Sequence, residues 1–172
     1  MCAVAKKAFD NQSQTDRSMS EFRLGEVCGT IALPADCLAD AADLAAKYFA
    51  ECEAAEFCGD PVEDLDFPPS FKDRAWRNNL IPHDALRAMG LVAGAREWLL
   101  ATVSADKHVD TEGLTLGICL FNDGLTFIQG RERHKTAPGQ WFVFDDTKAH
   151  EVRESRTSTS YVIWTLPLHG TF

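Results

Sequence analysis

The sequence has no apolar run long enough to cross a membrane. A span needs about 18 or more apolar residues in succession, and no such run occurs in the 172 positions. The N-terminus also lacks the apolar stretch of a secretory signal, which makes a cytoplasmic location the default expectation. Basic residues are scarce: 17 Lys and Arg stand against 26 Asp and Glu, a net charge of −9. That balance argues against non-specific nucleic-acid binding, which sets cations against phosphates. The cluster Arg131, Arg133, His134 and Lys135 is a local exception and reads as a solvated turn. No C-x-x-C pair occurs among the six cysteines, which argues against a thiolate zinc site. Without a secretory context their even number does not imply disulfides. They read as reduced thiols, with Cys37, Cys52 and Cys119 serving as small core residues. Internal repeats and low-complexity tracts are absent as well.

What remains is the composition of one globular domain, 45% apolar and 25% charged, long enough to bury a core. Residues 1–20 are polar and aperiodic and read as a flexible arm, leaving 21–172 as the single domain. Arg23–Leu33 carries a first strand pattern. Pro34 then opens a helix, with Asp36, Asp40 and Asp43 near its positive end. Leu38, Ala41, Ala45, Tyr48, Phe49 and Cys52 keep helical spacing to about Ala55, a stripe suited to packing on the outer face of a sheet. Gly59–Ser70 is a loop rich in Pro and Asp, of a length that often serves as a lid or binding loop. Phe67, Phe71 and Trp76 after it anchor the loop on the body, or contribute apolar contacts to a substrate. Arg74 and Arg77 hint at a charged rim. A second short helix has Asp84 as its cap and Leu86, Met89 and Leu91 on its apolar side. His83 just before it reads as a surface or capping residue.

From Trp98 the chain turns to short strand-like blocks: Leu99–Val103, Leu114–Phe121, Leu125–Gln129, Gln140–Phe144 and Ser160–Leu166. Asn122-Asp123-Gly124 and Pro138-Gly139 punctuate them as turns. His108 and Asp110 stand two residues apart, so on a strand both point to one face. His150 follows 40 positions after Asp110, and a later strand would deliver it as a third ligand. Two imidazoles and a carboxylate hold a divalent iron on one side and leave its other positions open. Several short strands ending in these residues suggest a mainly β fold with flanking helices, whose core is a double-stranded β-helix of the jelly-roll or cupin kind.

The block Phe144-Asp145-Asp146-Thr147-Lys148-Ala149-His150-Glu151-Val152, with the strand-like residues before it, resembles the iron(II)/2-oxoglutarate-dependent oxygenases. It looks most like the aspartyl/asparaginyl β-hydroxylase branch. The resemblance covers about residues 99–168, and the His-x-Asp portion is generic to the superfamily. It implies that His108, Asp110 and His150 are iron ligands and that Fe(II), 2-oxoglutarate and O2 are needed. Oxidative decarboxylation of 2-oxoglutarate would drive hydroxylation of an aspartyl or asparaginyl residue, a free amino acid or another small polar metabolite. Asp145 and Asp146 are placed either to orient an imidazole or simply to solvate a loop. In that branch an Arg ten residues after the distal His binds the far carboxylate of 2-oxoglutarate. Here that position is Ser160, so Arg156, or Arg131 or Arg133 from a neighbouring strand, would take its place. Thr115, which alternation turns toward the barrel interior along with Trp164, would add a hydrogen bond. Two further readings stand beside this one. The first is a cupin-type metal enzyme that does not use 2-oxoglutarate, and the second is a non-catalytic binding module on the same fold. Partners are a small-molecule or peptide substrate, with no nucleic acid and no membrane.

Overall fold

Eight consecutive strands are shared between two antiparallel sheets, and among them the chain crosses from one sheet to the other at every connection but one. In this computed structural model residues 24–54, 65–154 and 160–170 are described. The expected arm 1–20, residues 59–64 of the Gly59–Ser70 loop, and Arg156 lie outside them. In chain order the elements are β1 (Cys28–Thr30), α1 (Ala35–Ala54), a 3-10 turn (Pro69–Phe71), α2 (Arg74–Leu80), α3 (His83–Arg87), β2 (Leu91–Ala93), β3 (Trp98–Thr102), β4 (Ala105–His108), β5 (Leu114–Asn122), β6 (Thr126–Gln129), β7 (Glu132–His134), β8 (Gln140–Asp145), β9 (His150–Arg153) and β10 (Tyr161–Gly170). The larger sheet runs β1-β8-β5-β10-β2, with β3 also paired to β10, and the smaller runs β4-β9-β6-β7. Strands β3, β5, β8 and β10 thus form one wall and β4, β6, β7 and β9 the other. This is a double-stranded β-helix core, in which facing sheets share one interior.

Strand alternation separates two apolar clusters. Ala105, Phe127 and Val152 of the smaller sheet meet Cys119, Phe142, Phe144, Tyr161 and Ile163 of the larger one inside the barrel. Leu116, Ile118, Trp141, Val143, Val162, Trp164 and Leu166 point the other way, toward Cys37, Ala41, Ala45, Tyr48 and Cys52 of α1. The helix stripe therefore packs on the outside of the larger sheet, as its spacing predicts. Trp164 corrects the expectation that it fills the barrel. It is fully buried on the helix side, edge-on to Phe71 at 5.5 Å between ring centres. β10 alternates regularly, with Tyr161 and Ile163 inward and Val162, Trp164 and Leu166 toward the helix, and the bulge in its pairing with β5 leaves Leu120 of β5 as the extra residue. Inside, the fit is tight at Gly117, where a Cβ would stand 2.8 Å from Ile163 Cδ1 and 3.1 Å from Phe142 Cζ.

The segment between α1 and the sheets is an anchor. Asp40 of α1 accepts from the backbone N–H of Ser70 at 3.0 Å and from its hydroxyl. Phe71 is buried and contacts Phe67, Trp76 and Trp164. Arg77 does not line a rim. It is buried beneath the Phe67 ring and paired with Glu97 at 2.6 Å, while Arg74 donates to the carbonyl of Ala95. The expected first strand shortens to Cys28–Thr30. Asp84 lies inside the first turn of α3 rather than capping it, and Leu91 belongs to β2. Asp73, which accepts from the N–H groups of Ala75 and Trp76, caps the unexpected helix α2. Among the described residues no helix is long and apolar enough to cross a membrane.

Candidate metal centre

β4 and β9 are neighbours in the smaller sheet, and their register sets His108 directly opposite His150. Opposed residues of an antiparallel pair share a face. The two imidazoles therefore meet, with ring centres 4.3 Å apart. Each is oriented in the same way. Nδ1 of His108 donates to the carbonyl of Asp106 at 2.6 Å, and Nδ1 of His150 donates to the carbonyl of Lys148 at 3.1 Å. A carbonyl can only accept, so a proton sits on each Nδ1, and in the neutral ring Nε2 then carries the lone pair that a metal takes. Burial pushes the His150 pKa below its ordinary value, which favours the neutral ring that a metal binds.

Asp110 completes the group. Its Oδ2 lies 3.5 Å from His150 Nε2 and 3.8 Å from His108 Nε2. Donor atoms of His108, Asp110 and His150 all fall within 4.8 Å of one another. Two ligands bound at about 2.1 Å and at right angles on one ion stand about 3 Å apart, so small side-chain movements close the set. The chemistry of the donors fits as well, since two neutral imidazoles and a carboxylate match a divalent iron site. Access is one-sided. The His150 side chain is 5% exposed and that of Asp110 is 53% exposed. Phe127 stacks along His150 at 5.5 Å, and Phe144 meets it edge-on at 5.6 Å. The barrel side of the centre is therefore aromatic, and the Asp110 side opens to solvent.

The two acids ahead of His150 do not hydrogen-bond to its ring. Asp145 accepts from Thr147 and pairs with Lys148 at 3.1 Å. Asp146 reaches across to the segment that follows Asp110. Its Oδ1 accepts from the N–H of Gly113 at 2.6 Å and its Oδ2 from the Thr115 hydroxyl at 3.1 Å. Burial raises its pKa, and the nearby Asp110 charge acts in the same direction. Gln129 is a supporting residue that sequence reasoning misses. It lies opposite His150 on β6, and its amide donates to the carbonyls of Asp145 at 2.6 Å and Lys148 at 3.3 Å. A lone Gln at a strand end carries no motif. The two carbonyls that orient the imidazoles are backbone atoms, which no residue type reveals.

The residues expected to hold 2-oxoglutarate are not brought together. Thr115 faces inward as expected, but its hydroxyl is engaged by Asp146. Arg131 is exposed in the β6–β7 turn, and Arg156 lies outside the described residues. Ser160 points away from the barrel, with its hydroxyl donating to the carbonyl of Ala45 on α1 at 2.8 Å. The inward position at the start of β10 belongs to Tyr161, which is buried with its hydroxyl 3.2 Å from Thr136. Among the described Arg and Lys residues only Arg77 is buried, outside the barrel.

Neither a family model nor a curated protein sequence matches the chain. Several solved structures are similar, and two of them are named as an oxygenase and a hydroxylase. One is an oxidoreductase of the 2OG-Fe(II) oxygenase family from Burkholderia pseudomallei, with 19% identity and a TM-score of 0.44 over 63% of this chain and 61% of that one. The other is a Pseudomonas putida prolyl-4-hydroxylase, with 16% identity and a TM-score of 0.43 over 81% of this chain and 91% of that one. The chain thus spans about three fifths of the first structure's length.

Proposed function

We propose that the chain is an iron(II)-dependent dioxygenase that uses 2-oxoglutarate to hydroxylate an aspartyl or asparaginyl residue, a free amino acid or another small polar metabolite. The observation that carries this reading is the convergence of His108 Nε2, His150 Nε2 and Asp110 Oδ2 at the mouth of a double-stranded β-helix. Bound there, the ferrous ion would supply activation of O2 and oxidation of an unactivated C–H bond. The chain's own residues hold and orient. His108 and His150 present their Nε2 atoms from rings fixed by the carbonyls of Asp106 and Lys148. Phe127 and Phe144 keep water from the barrel side. The exposed flank at Asp110 leaves the path by which a substrate enters. A cytoplasmic place of work and a small-molecule or peptide substrate belong to the same proposal.

Described residues fit the metal but not the far carboxylate of 2-oxoglutarate, for which they supply no buried cation inside the barrel. The first reading therefore rests on Arg156 as the anchor. The same observation favours a second reading, a cupin-type metal enzyme that does not use 2-oxoglutarate. One anaerobic titration separates them. Iron(II) with 2-oxoglutarate gives a visible metal-to-ligand charge-transfer band on the first reading, and the band weakens in Arg156→Ala. Iron binding without a band favours the second. His108→Ala abolishes iron binding and leaves the thermal transition of the apoprotein in place. If iron binds the wild type and this variant equally, the centre lies elsewhere. If iron binds neither, both readings fall and a binding module remains. Succinate release across a panel of amino acids and peptides then identifies the substrate class.

A further inference from the structure

Asp146 is connected to the Asp110 segment through every polar group it has. Its carbonyl accepts from the N–H of Asp110 at 2.9 Å, and its own N–H donates to the carbonyl of Gly113 at 2.9 Å. Its carboxylate takes the N–H of Gly113 and the hydroxyl of Thr115, one on each oxygen. The residue is 4% exposed. Gly113 has φ of +90°, a conformation that costs glycine little, and so turns its N–H onto the carboxylate.

These bonds link two parts of the chain that carry different ligands. Asp110 sits on an exposed connection between β4 and β5 and has no ladder of its own to fix it. Asp146 begins the turn from β8 to His150. We propose that Asp146 is the positioning residue of the centre, and that it sets the distance between Asp110 and the two imidazoles by clasping residues 110–115 to the β8–β9 turn. It acts on the carboxylate ligand through the backbone, while the imidazoles take their orientation from Asp106 and Lys148. This rests on the metal-binding part of the proposed function and on nothing about the cosubstrate.

The test measures metal affinity and apoprotein stability separately, using Co(II) absorption and the Zn(II)-induced rise in melting temperature. Partners of metal ligands typically contribute about 10–100-fold to affinity, and Asp146→Ala is expected to lose that much. Asp146→Asn keeps an oxygen for Gly113 N–H and an amide for Thr115, and is expected to stay within about threefold of wild type on the same scale. Thr115→Val removes one clasp bond, preserves the shape of the side chain, and gives an intermediate loss even if Asp146→Ala fails to fold. A purely structural Asp146 would lower the apoprotein melting temperature in Asp146→Ala and leave affinity for both ions unchanged, which overturns the proposal. Unchanged affinity in Thr115→Val with a large loss in Asp146→Asn also overturns it. If the wild type binds neither ion, the metal reading fails first, and that result is distinct from a variant-specific one.

Discussion

Gln129 stands opposite His150 in the β6–β9 ladder, and the two side chains share one backbone oxygen, the carbonyl of Lys148. The amide thereby steadies the atom that orients the imidazole. Replacing Gln129 with Leu leaves the Asp145 carbonyl without this donor, and an unsatisfied buried polar group costs about 1–3 kcal/mol. The variant should unfold at lower denaturant and bind Co(II) on the order of tenfold more weakly. Denaturant melts and a metal titration check both numbers. Lost stability with unaltered affinity would assign Gln129 to the scaffold alone.

Arg77 and Glu97 form a buried, bidentate pair: Nη2 lies 2.6 Å from Oε1 and Nε 3.2 Å from Oε2. Trp164 Nε1 donates to the same Oε2 at 3.0 Å, and Arg77 also reaches the carbonyls of Phe71 and Lys72. Removing one partner strands a buried charge, a loss of about 3–5 kcal/mol. Glu97→Ala should show that loss in the urea midpoint. Its metal affinity should match wild type, because the pair lies on the helix side of the larger sheet.

Burial, with Asp36 and Asp40 adding to it, raises the Cys37 thiol to about 12, and burial raises Cys119 to about 12 against a hydrogen bond with Thr136. Both start from 9.0. An acid whose folded pKa exceeds its unfolded one stabilises the fold fully below the unfolded value, and that contribution is lost as pH rises through the folded one. The denaturant midpoint should therefore fall between pH 9 and about 12. At pH 8 iodoacetamide should leave both cysteines unmodified in the folded protein and alkylate them in urea, because the thiolate is the nucleophile. Peptide mass spectrometry reads the outcome.

Ser160 offers a test of the missing cation. Its side chain faces α1, so Ser160→Arg directs a guanidinium into the helix interface instead of the barrel. The variant should lose stability by burying an unpaired charge and gain no affinity for 2-oxoglutarate. Ser160→Ala, which removes only the bond to Ala45, should cost about 1 kcal/mol. A stable Ser160→Arg protein that binds 2-oxoglutarate more tightly would show that β10 can present position 160 inward.

The barrel is legible in the sequence because its strands bury apolar residues between turn signals. The blocks at 114–121, 125–129 and 140–144 meet β5, β6 and β8 closely. The helix stripe through Ala41, Ala45, Tyr48 and Cys52 is legible for the same reason, except that Leu38, counted in it, is exposed and Cys37 is buried in its place. β7 is not, since Glu132-Arg133-His134 is an edge strand, and edges carry charge that masks any alternation. The convergence of His108, Asp110 and His150 is legible because few residue types can serve as metal ligands and the three stand at or beside strand ends. Trp164 faces the helix because β10 alternates from an outward Ser160, so the inward set begins at Tyr161, one residue later than the comparison of position 160 with an inward Arg implies. The task of Asp146 was hidden because its partners, Gly113 and Thr115, are distant in sequence and ordinary in kind.

Both imidazoles are locked by main-chain oxygens two residues before them in the chain, and the third donor sits on the solvent side. On the proposed reading such a centre exists before any ion arrives, so a chelator should empty it without unfolding the barrel. Selectivity then cannot come from the fold's need for one particular metal. Cu(II) and Zn(II) outrank Fe(II) at nitrogen and oxygen sites of this kind, so protein purified in air should carry whichever ion the buffer supplies. Ferrous loading becomes a matter of supply, which the cell must control and the experimenter must impose.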